Sequence, residues 1–218
     1  MIFRWRTTWS TMMDRQHHLP QGPLGRLVGE KMVRQHRPET DWTVGLLDLH
    51  PHDRAVELGC GAGRALVLAA RAVSRGVVVG MDLSPTMLHA AARRTQRAEQ
   101  GKRVSLLRGD LEALPYVNGS LDKIWSVHTF YFWTDPEAVI AELLRVLAPG
   151  GKIVVTLATG TVSPAGEDQF WPLHQQVEAL VGALNSWPEI AAELRRGPNS
   201  RRYNNIALVL RKEGRSQP

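Results

Sequence analysis

Val56-Glu57-Leu58-Gly59-Cys60-Gly61-Ala62-Gly63-Arg64 is the stretch that decides how this chain folds. Apolar residues lead in, an acid sits near the end of the run, and three glycines follow on alternate positions. A residue without Cβ lets the backbone bend sharply and approach a bound molecule closely. Helical residues, Ala65 to Val73, come next. The stretch reads as a buried strand, a tight turn and a helix N-terminus, where free N–H groups favour anionic ligand groups.

Working outward, Val77-Val78-Val79-Gly80-Met81-Asp82 is a second apolar run ending in an acid. Asp82 falls close to the roughly 20-residue offset at which a carboxylate meets a ribose in such folds. Ser84-Pro85 supplies an N-cap oxygen and a first-turn proline for the next helix. Two further runs have strand character, Val104 to Leu107 and Leu121 to His128. Asp135-Pro136 caps a helix over Glu137 to Leu147, and Ala148-Pro149-Gly150-Gly151 turns into a strand from Lys152 to Thr156. Strand and helix alternate throughout, which predicts an α/β fold: a doubly wound, mostly parallel Rossmann-like sheet with helices on both faces. Ligands of such sheets sit beyond the strands' C-terminal ends, where Glu57, Asp82, Asp110 and Ser126 fall.

The dinucleotide fingerprint G-x-G-x-x-G/A would need a small third residue at position 64. Arg64 stands there, which argues against a nicotinamide or flavin oxidoreductase. The spacing G-x-G-x-G preceded by Glu57 instead resembles motif I of the class I S-adenosylmethionine-dependent methyltransferases. "GDLEALPYVNGSLDKIWS" (109–126) and "ELLRVLAPGGKIVVT" (142–156) resemble later motifs of that superfamily's small-molecule branch, the ubiquinone/menaquinone C-methyltransferase-like group with its type 11 domain. The resemblance is strong over about residues 40–160. It implies transfer of a sulfonium methyl group to a small-molecule acceptor, quinone-like or phenolic, by in-line displacement. It also implies a cofactor site: Glu57 near the amino acid end, and Gly59, Cys60, Gly61 and Gly63 under the methionine and ribose. Asp82 would take the ribose hydroxyls, Leu83 and Met87 would lie beside the adenine, Asp110 and Leu111 at its amino group and ring, and Ser126 at the methionine part.

Composition agrees with one domain of 218 residues and 43% hydrophobic content. No run approaches the roughly 20 apolar residues of a membrane span, and the aromatic, Arg-containing N-terminus lacks a signal peptide's apolar core. A single cysteine, Cys60, cannot form an intramolecular disulfide, so a cytoplasmic setting is expected. Within the glycine turn, Cys60 reads as a packing residue rather than a nucleophile.

Net charge +6 raises a nucleic-acid partner. The clusters that carry it, Arg93 to Arg103 and Arg195 to Arg202, do not interleave with base-stacking aromatics. The Asn/Asp-Pro-Pro-Tyr/Phe sequence of amino-group base methyltransferases is replaced after the fourth strand by Ser126-Val127-His128-Thr129-Phe130. A solvated basic face is the reading preferred, with an RNA methyltransferase and a non-catalytic cofactor-binding protein as alternatives.

Residues 1–40 are expected to form a helical lid, with an apolar stripe at Leu24, Leu27, Val28 and Met32, and residues 41–218 the methyltransferase domain. The lid's Trp and Arg content allows a weak membrane-surface contact. His128 and Tyr131 are the candidate catalytic residues, His128 as a general base toward a phenol, thiol or activated carbon. No metal is expected, because His17 and His18 have no third ligand. Beyond Thr156, Gly160 to Gly166 read as loop, Glu167 to Leu184 as helix with Pro172 placing its firm start near Leu173, Glu189 to Arg196 as a second helix stopped by Gly197-Pro198, and Ile206 to Leu210 as the last strand. On that reading one strand is missing and the C-terminal edge of the sheet is shortened.

Overall fold

The computed structural model describes residues 21–98, 103–163, 165–200 and 203–214. Two helices come first, α1 (Gly22–Gln35) and α2 (Arg37–Leu47). The alternating body follows: β1 (Arg54–Leu58), α3 (Arg64–Ala72), β2 (Val77–Asp82), α4 (Pro85–Arg97), β3 (Val104–Arg108), β4 (Leu121–Val127), α5 (Pro136–Val146) and β5 (Leu147–Val162). The chain then forms β6 (Asp168–Phe170), α6 (Pro172–Leu184), β7 (Ile190–Arg196) and β8 (Tyr203–Lys212).

The sheet runs β3-β2-β1-β4-β5-β8-β7, with β6 paired on β5. Neighbours are parallel from β3 to β5, and β8 and β7 add antiparallel. After β3 the chain returns to the other side of β1, so connections leave β1 and β4 in opposite directions and open a crevice at their C-terminal ends.

Period-two alternation buries both faces of the sheet. Val56, Leu58, Ile124, Ile153, Leu208 and Leu210 pack with Ile140, Leu143 and Val177 of α5 and α6. Ala55, Val78, Trp125, Val154 and Val209 pack with Leu47, Leu66 and Ala69 of α2 and α3. Caps expected from sequence form: the Ser84 hydroxyl accepts from Met87 N–H at 3.3 Å, and Asp135 accepts from Glu137 and Ala138 N–H at 3.1 Å each.

Buried lysines on the sheet fasten helix C-termini, whose free carbonyls attract cations. Lys123 Nζ donates to Leu47 O (3.1 Å) and Asp48 O (2.9 Å), and Lys152 Nζ donates to Leu46 O (3.2 Å), which together pin α2 to the sheet. Lys212 does the same for α5 through Leu144 O and Leu147 O. On the preceding helix, Gly29 of α1 lies so close to α4 that a Cβ would fall 2.6 Å from Met87 Cε. Of the expected stripe, Val28 is buried and Leu27 exposed. The boundary at residue 40 falls inside α2, and His17 and His18 lie outside the described residues.

Three expectations are corrected. Glu189 to Arg196 is not a helix: Ile190–Arg196 is strand β7, antiparallel to β8 from Ile190↔Lys212 to Arg196↔Ile206. Ile190, Ala192 and Leu194 turn inward while Ala191, Glu193 and Arg195 face water, a period of two that a helix would break. The C-terminal edge is therefore not shortened. The Pro149-Gly150-Gly151 turn is absorbed into β5 as an irregularity, with Gly150 at φ 78. Gly160 is likewise strand: β5 runs on to Val162 and pairs antiparallel with β6, so that Asp168–Phe170 is strand and the helix begins only at Pro172.

Gly80 sits mid-strand where a Cβ would lie 2.5 Å from Leu66 Cδ1, 3.0 Å from Leu106 Cδ2 and 3.1 Å from Cys60 Sγ. Gly80→Val should lower unfolding free energy by about 1–3 kcal/mol in urea titrations through overpacking. Val77→Ala, half exposed on the same strand, should stay within about 0.5 kcal/mol.

Candidate functional site

The crevice holds a cavity of about 190 Å³. Its floor is the turn after β1, its sides are the ends of β2 and β4, and its roof comes from Met32 and Val33 of α1 and Thr40 of α2, with His36 between the two helices. The three motif glycines all have positive φ, 70° at Gly59, 50° at Gly61 and 77° at Gly63, but for different reasons. A Cβ on Gly59 would overlap the Thr129 side chain, and one on Gly63 would lie 2.9 Å from Ala91 Cβ of α4. Gly61 has nothing within 4 Å of its Cβ position. Two of the glycines thus serve packing, and Gly61 is the one whose missing side chain leaves room in the cavity.

Two carboxylates face this turn. Asp82 accepts from Gly61 N–H through Oδ2 and from Ser84 N–H through Oδ1, each at 2.8 Å. Burial raises its pKa, and these two backbone bonds pull it back in part. Glu57 is 4% exposed, and its Oε2 is buried with no partner. Burial pushes its pKa well above the usual range, the neighbouring Trp125 indole opposes this, and the Asp82 charge adds to it. The Cys60 thiol is also pushed up, by burial and then by Glu57 and Asp82, so it remains a thiol and packs under Gly80.

Of the residues expected at the site, Glu57, Gly59, Cys60, Gly61, Asp82, Leu83, Met87, Leu111 and His128 line this cavity. Four do not. Gly63 caps α3 behind the turn. Asp110 turns outward and accepts from Glu112 N–H at 3.1 Å, leaving Gly109 and Leu111 on the wall. Ser126 is buried and hydrogen-bonded to the Thr129 hydroxyl, so Val127, His128 and Thr129 take its place. Tyr131 stands one layer back, its hydroxyl 2.6 Å from Ala158 N and 3.1 Å from Ala158 O.

His128 has φ 59, and both its ring nitrogens are engaged: Nδ1 with the Tyr131 hydroxyl and Nε2 with Glu39 Oε1, each at 3.2 Å. Burial lowers its pKa, against the Glu39 hydrogen bond that raises it. The Tyr131 ring is partly exposed, but its hydroxyl is desolvated against Ala158, which raises the phenol pKa and keeps it protonated. Glu39, fully buried in the first turn of α2, was not singled out from sequence. Burial pushes its pKa up, but hydrogen bonds from His128 and His36 outweigh this and hold the carboxyl well below its usual range. Arg64 was weighed only as a misfit to the dinucleotide pattern; it clamps Asp41 of α2 with contacts of 2.9, 2.5 and 2.6 Å and so ties the turn to the roof.

The chain is similar to known methyltransferases. The family described as "Methyltransferase domain" matches residues 56–155. An aklanonic acid methyltransferase of Streptomyces sp. (strain C5) is 33% identical, covering 65% of this chain and 70% of that protein. The 27-O-demethylrifamycin SV methyltransferase of Amycolatopsis mediterranei (strain S699) is 31% identical over 72% of this chain, which spans 57% of that relative's length. A SAM-dependent methyltransferase from Aquifex aeolicus shares the fold with a TM-score of 0.67 at 17% identity, covering 86% of this chain and 98% of that one. The chain belongs to the class I S-adenosylmethionine-dependent methyltransferases.

Glu57 gives the site a pH signature. Its folded pKa lies above the unfolded value of about 4.3, so between the two the folded state holds more protons and stability falls as pH rises. Glu57→Gln should melt higher than the parent protein, with a gap that is small near about pH 4 and grows through the raised pKa. For a domain of this size each kcal/mol relieved adds about 2–4 °C. A gap of equal size at about pH 4 and about pH 8 would show that Glu57 is not destabilised as the anion.

Proposed function

We propose that the chain methylates a small-molecule acceptor in this crevice, with S-adenosylmethionine as donor. When bound, the cofactor supplies an activated methyl group on a sulfonium centre, so the protein contributes mainly positioning and exclusion of water. The observation that carries this reading is the convergence of Glu57, Asp82 and the open face of Gly61 on one cavity. Glu57 Oε2 is a buried acceptor without a donor. An ammonium group there would satisfy it and restore the charged form that burial opposes. Asp82 has one donor on each oxygen and keeps lone pairs for a ribose diol. Leu83 and Leu111 offer apolar surface to a purine, while Met87 supports this wall from beneath α1.

The acceptor would enter beneath α1 and α2, which act as the lid and cover the side of the cavity lined by Thr40, His128 and Phe132. His128 is part of this acceptor-side wall, with Tyr131 behind it, where a hydroxyl proton would be lost before methyl transfer. A small organic acceptor, phenolic or quinone-like, suits this covered and largely apolar space. A nucleic-acid acceptor fits less well, because three arginines of the basic clusters have partners within the fold. Arg94 pairs with Glu30 and donates to Ala62 O, Arg195 pairs with Glu193, and Arg196 pairs with Asp168 and lies over Phe170. Among the described residues no helix is long and apolar enough to cross a membrane. The single cysteine is buried and free, and a reducing cytoplasm is the compartment we assign.

Thermal unfolding with S-adenosylmethionine, its demethylated product and NAD tests the cofactor. At about 100 times its dissociation constant a native-state ligand adds about 2.7 kcal/mol, a rise of about 5–10 °C for a domain of this size. The first two ligands should give this rise and NAD should not, and Asp82→Ala should remove it. No shift with either of the first two would overturn the assignment.

A further inference from the structure

The cavity wall carries a second polar cluster that cofactor binding does not use. His36 joins α1 to α2, Glu39 lies in the first turn of α2, and His128 follows β4. His36 Nδ1 lies 2.7 Å from Glu39 Oε1, and His128 Nε2 lies 3.2 Å from the same oxygen. One ligand atom from each residue falls within 4.8 Å of the others. The second oxygen, Glu39 Oε2, is buried with no partner on a side chain of 0% exposure. A carboxylate oxygen buried without a donor calls for a cationic partner. Both histidines line the cavity while Glu39 stands behind them, so the cluster opens toward the space where an acceptor would lie.

We propose that His36, Glu39 and His128 bind a divalent first-row transition-metal cation, with its remaining coordination positions open to the cavity. Two imidazole nitrogens and one carboxylate are the donors such ions take, and three protein ligands with an open position are the pattern of a catalytic rather than a structural site. The surroundings fit that use. His128 carries the Tyr131 hydroxyl on its other nitrogen, and Tyr131 is itself fixed by the Ala158 backbone, an outer partner of the kind that orients metal-bound imidazoles. The left-handed backbone at His128, uncommon for a residue with a side chain, is what presents its ring to Glu39.

The consequence for chemistry rests on the methyl-transfer reading, whereas cation binding does not. An acceptor oxygen in the open position would lose its proton to solvent at lower pH than when free. That oxygen would then form the O–CH3 bond as the methyl–sulfur bond breaks, leaving a neutral thioether and an O-methyl product. The acceptor class this favours is a hydroxyl, phenol or enol rather than a carbon nucleophile. His128 then acts as a ligand and not as a free base.

The test is titration of the chelator-treated full chain with Co2+ alone, read by its visible absorption and by calorimetry, with Zn2+ and Mn2+ in parallel. One cation per chain is expected, with affinity falling in His36→Ala and Glu39→Gln by more than the about 10–100-fold that loss of a mere outer partner costs. His36 is partly exposed, so its truncation leaves the fold intact even where Glu39→Gln perturbs it. Absence of binding by a folded chain would overturn the site. So would binding of unchanged affinity in both variants, which would place the ion elsewhere, for example at His17-His18. The S-adenosylmethionine melting shift, measured on the same samples, separates the two readings: cation binding without that shift supports the metal site and removes the methyl-transfer reading.

Discussion

The reversal of strand order at β1 is the constraint on which the rest of the site depends. With β2 on one side and β4 on the other, both parallel, the turns leaving β1 and β4 cannot cover the same ground. The space between them has to be filled by something other than the sheet's own connections. Here the glycine turn forms the floor and two N-terminal helices form the roof. Glu57 and Asp82 enter this space because they lie at the C-terminal ends of their strands, Glu57 one residue before the last of β1 and Asp82 the last of β2.

Holding two acids together out of water is costly, and the fold absorbs that cost around them. Asp82 takes two backbone N–H groups, while Glu57 keeps one oxygen with none. The rest of the structure compensates through packing on both sheet faces and through a roof that is fastened rather than loosely laid. Lys123 and Lys152 hold the end of α2, Arg64 holds Asp41 in its middle, and Arg94 holds Glu30 of α1. A site that carries an unsatisfied carboxylate is thereby kept in one geometry before any ligand arrives, which reduces the ordering that binding must bring about.

Much of this was legible in the sequence because the signals are local. The runs at Val56, Val77, Val104 and Leu121, and the caps at Ser84 and Asp135, each lie within a few residues of the structure they dictate. At β7 the local signals point the wrong way, since Gly197-Pro198 looks like a helix stop and Glu193, Arg195 and Arg196 are good helix formers; its partner β8 decides the matter, and pairing is not a local property. Motif position points to Ser126 and Asp110, yet along strand β4 each neighbour faces the opposite way, so the wall falls to Val127, and in the turn after β3 it falls to Gly109 and Leu111. Glu39 was invisible for another reason: its partner His128 is 89 residues away, and nothing near either residue marks the meeting.

The unequal duties of the three turn glycines bear on how such motifs are used to infer kinship and activity. Gly59 and Gly63 are required by Thr129 and Ala91, that is, by the protein's own interior. A descendant that had abandoned its ligand would still be obliged to keep them. Selection for folding and selection for binding therefore write the same letters at two of the three positions, and a pattern match there reports ancestry. Gly61 carries the other message: a larger residue at that position, in an otherwise intact turn, would be the mark of a retired binding site.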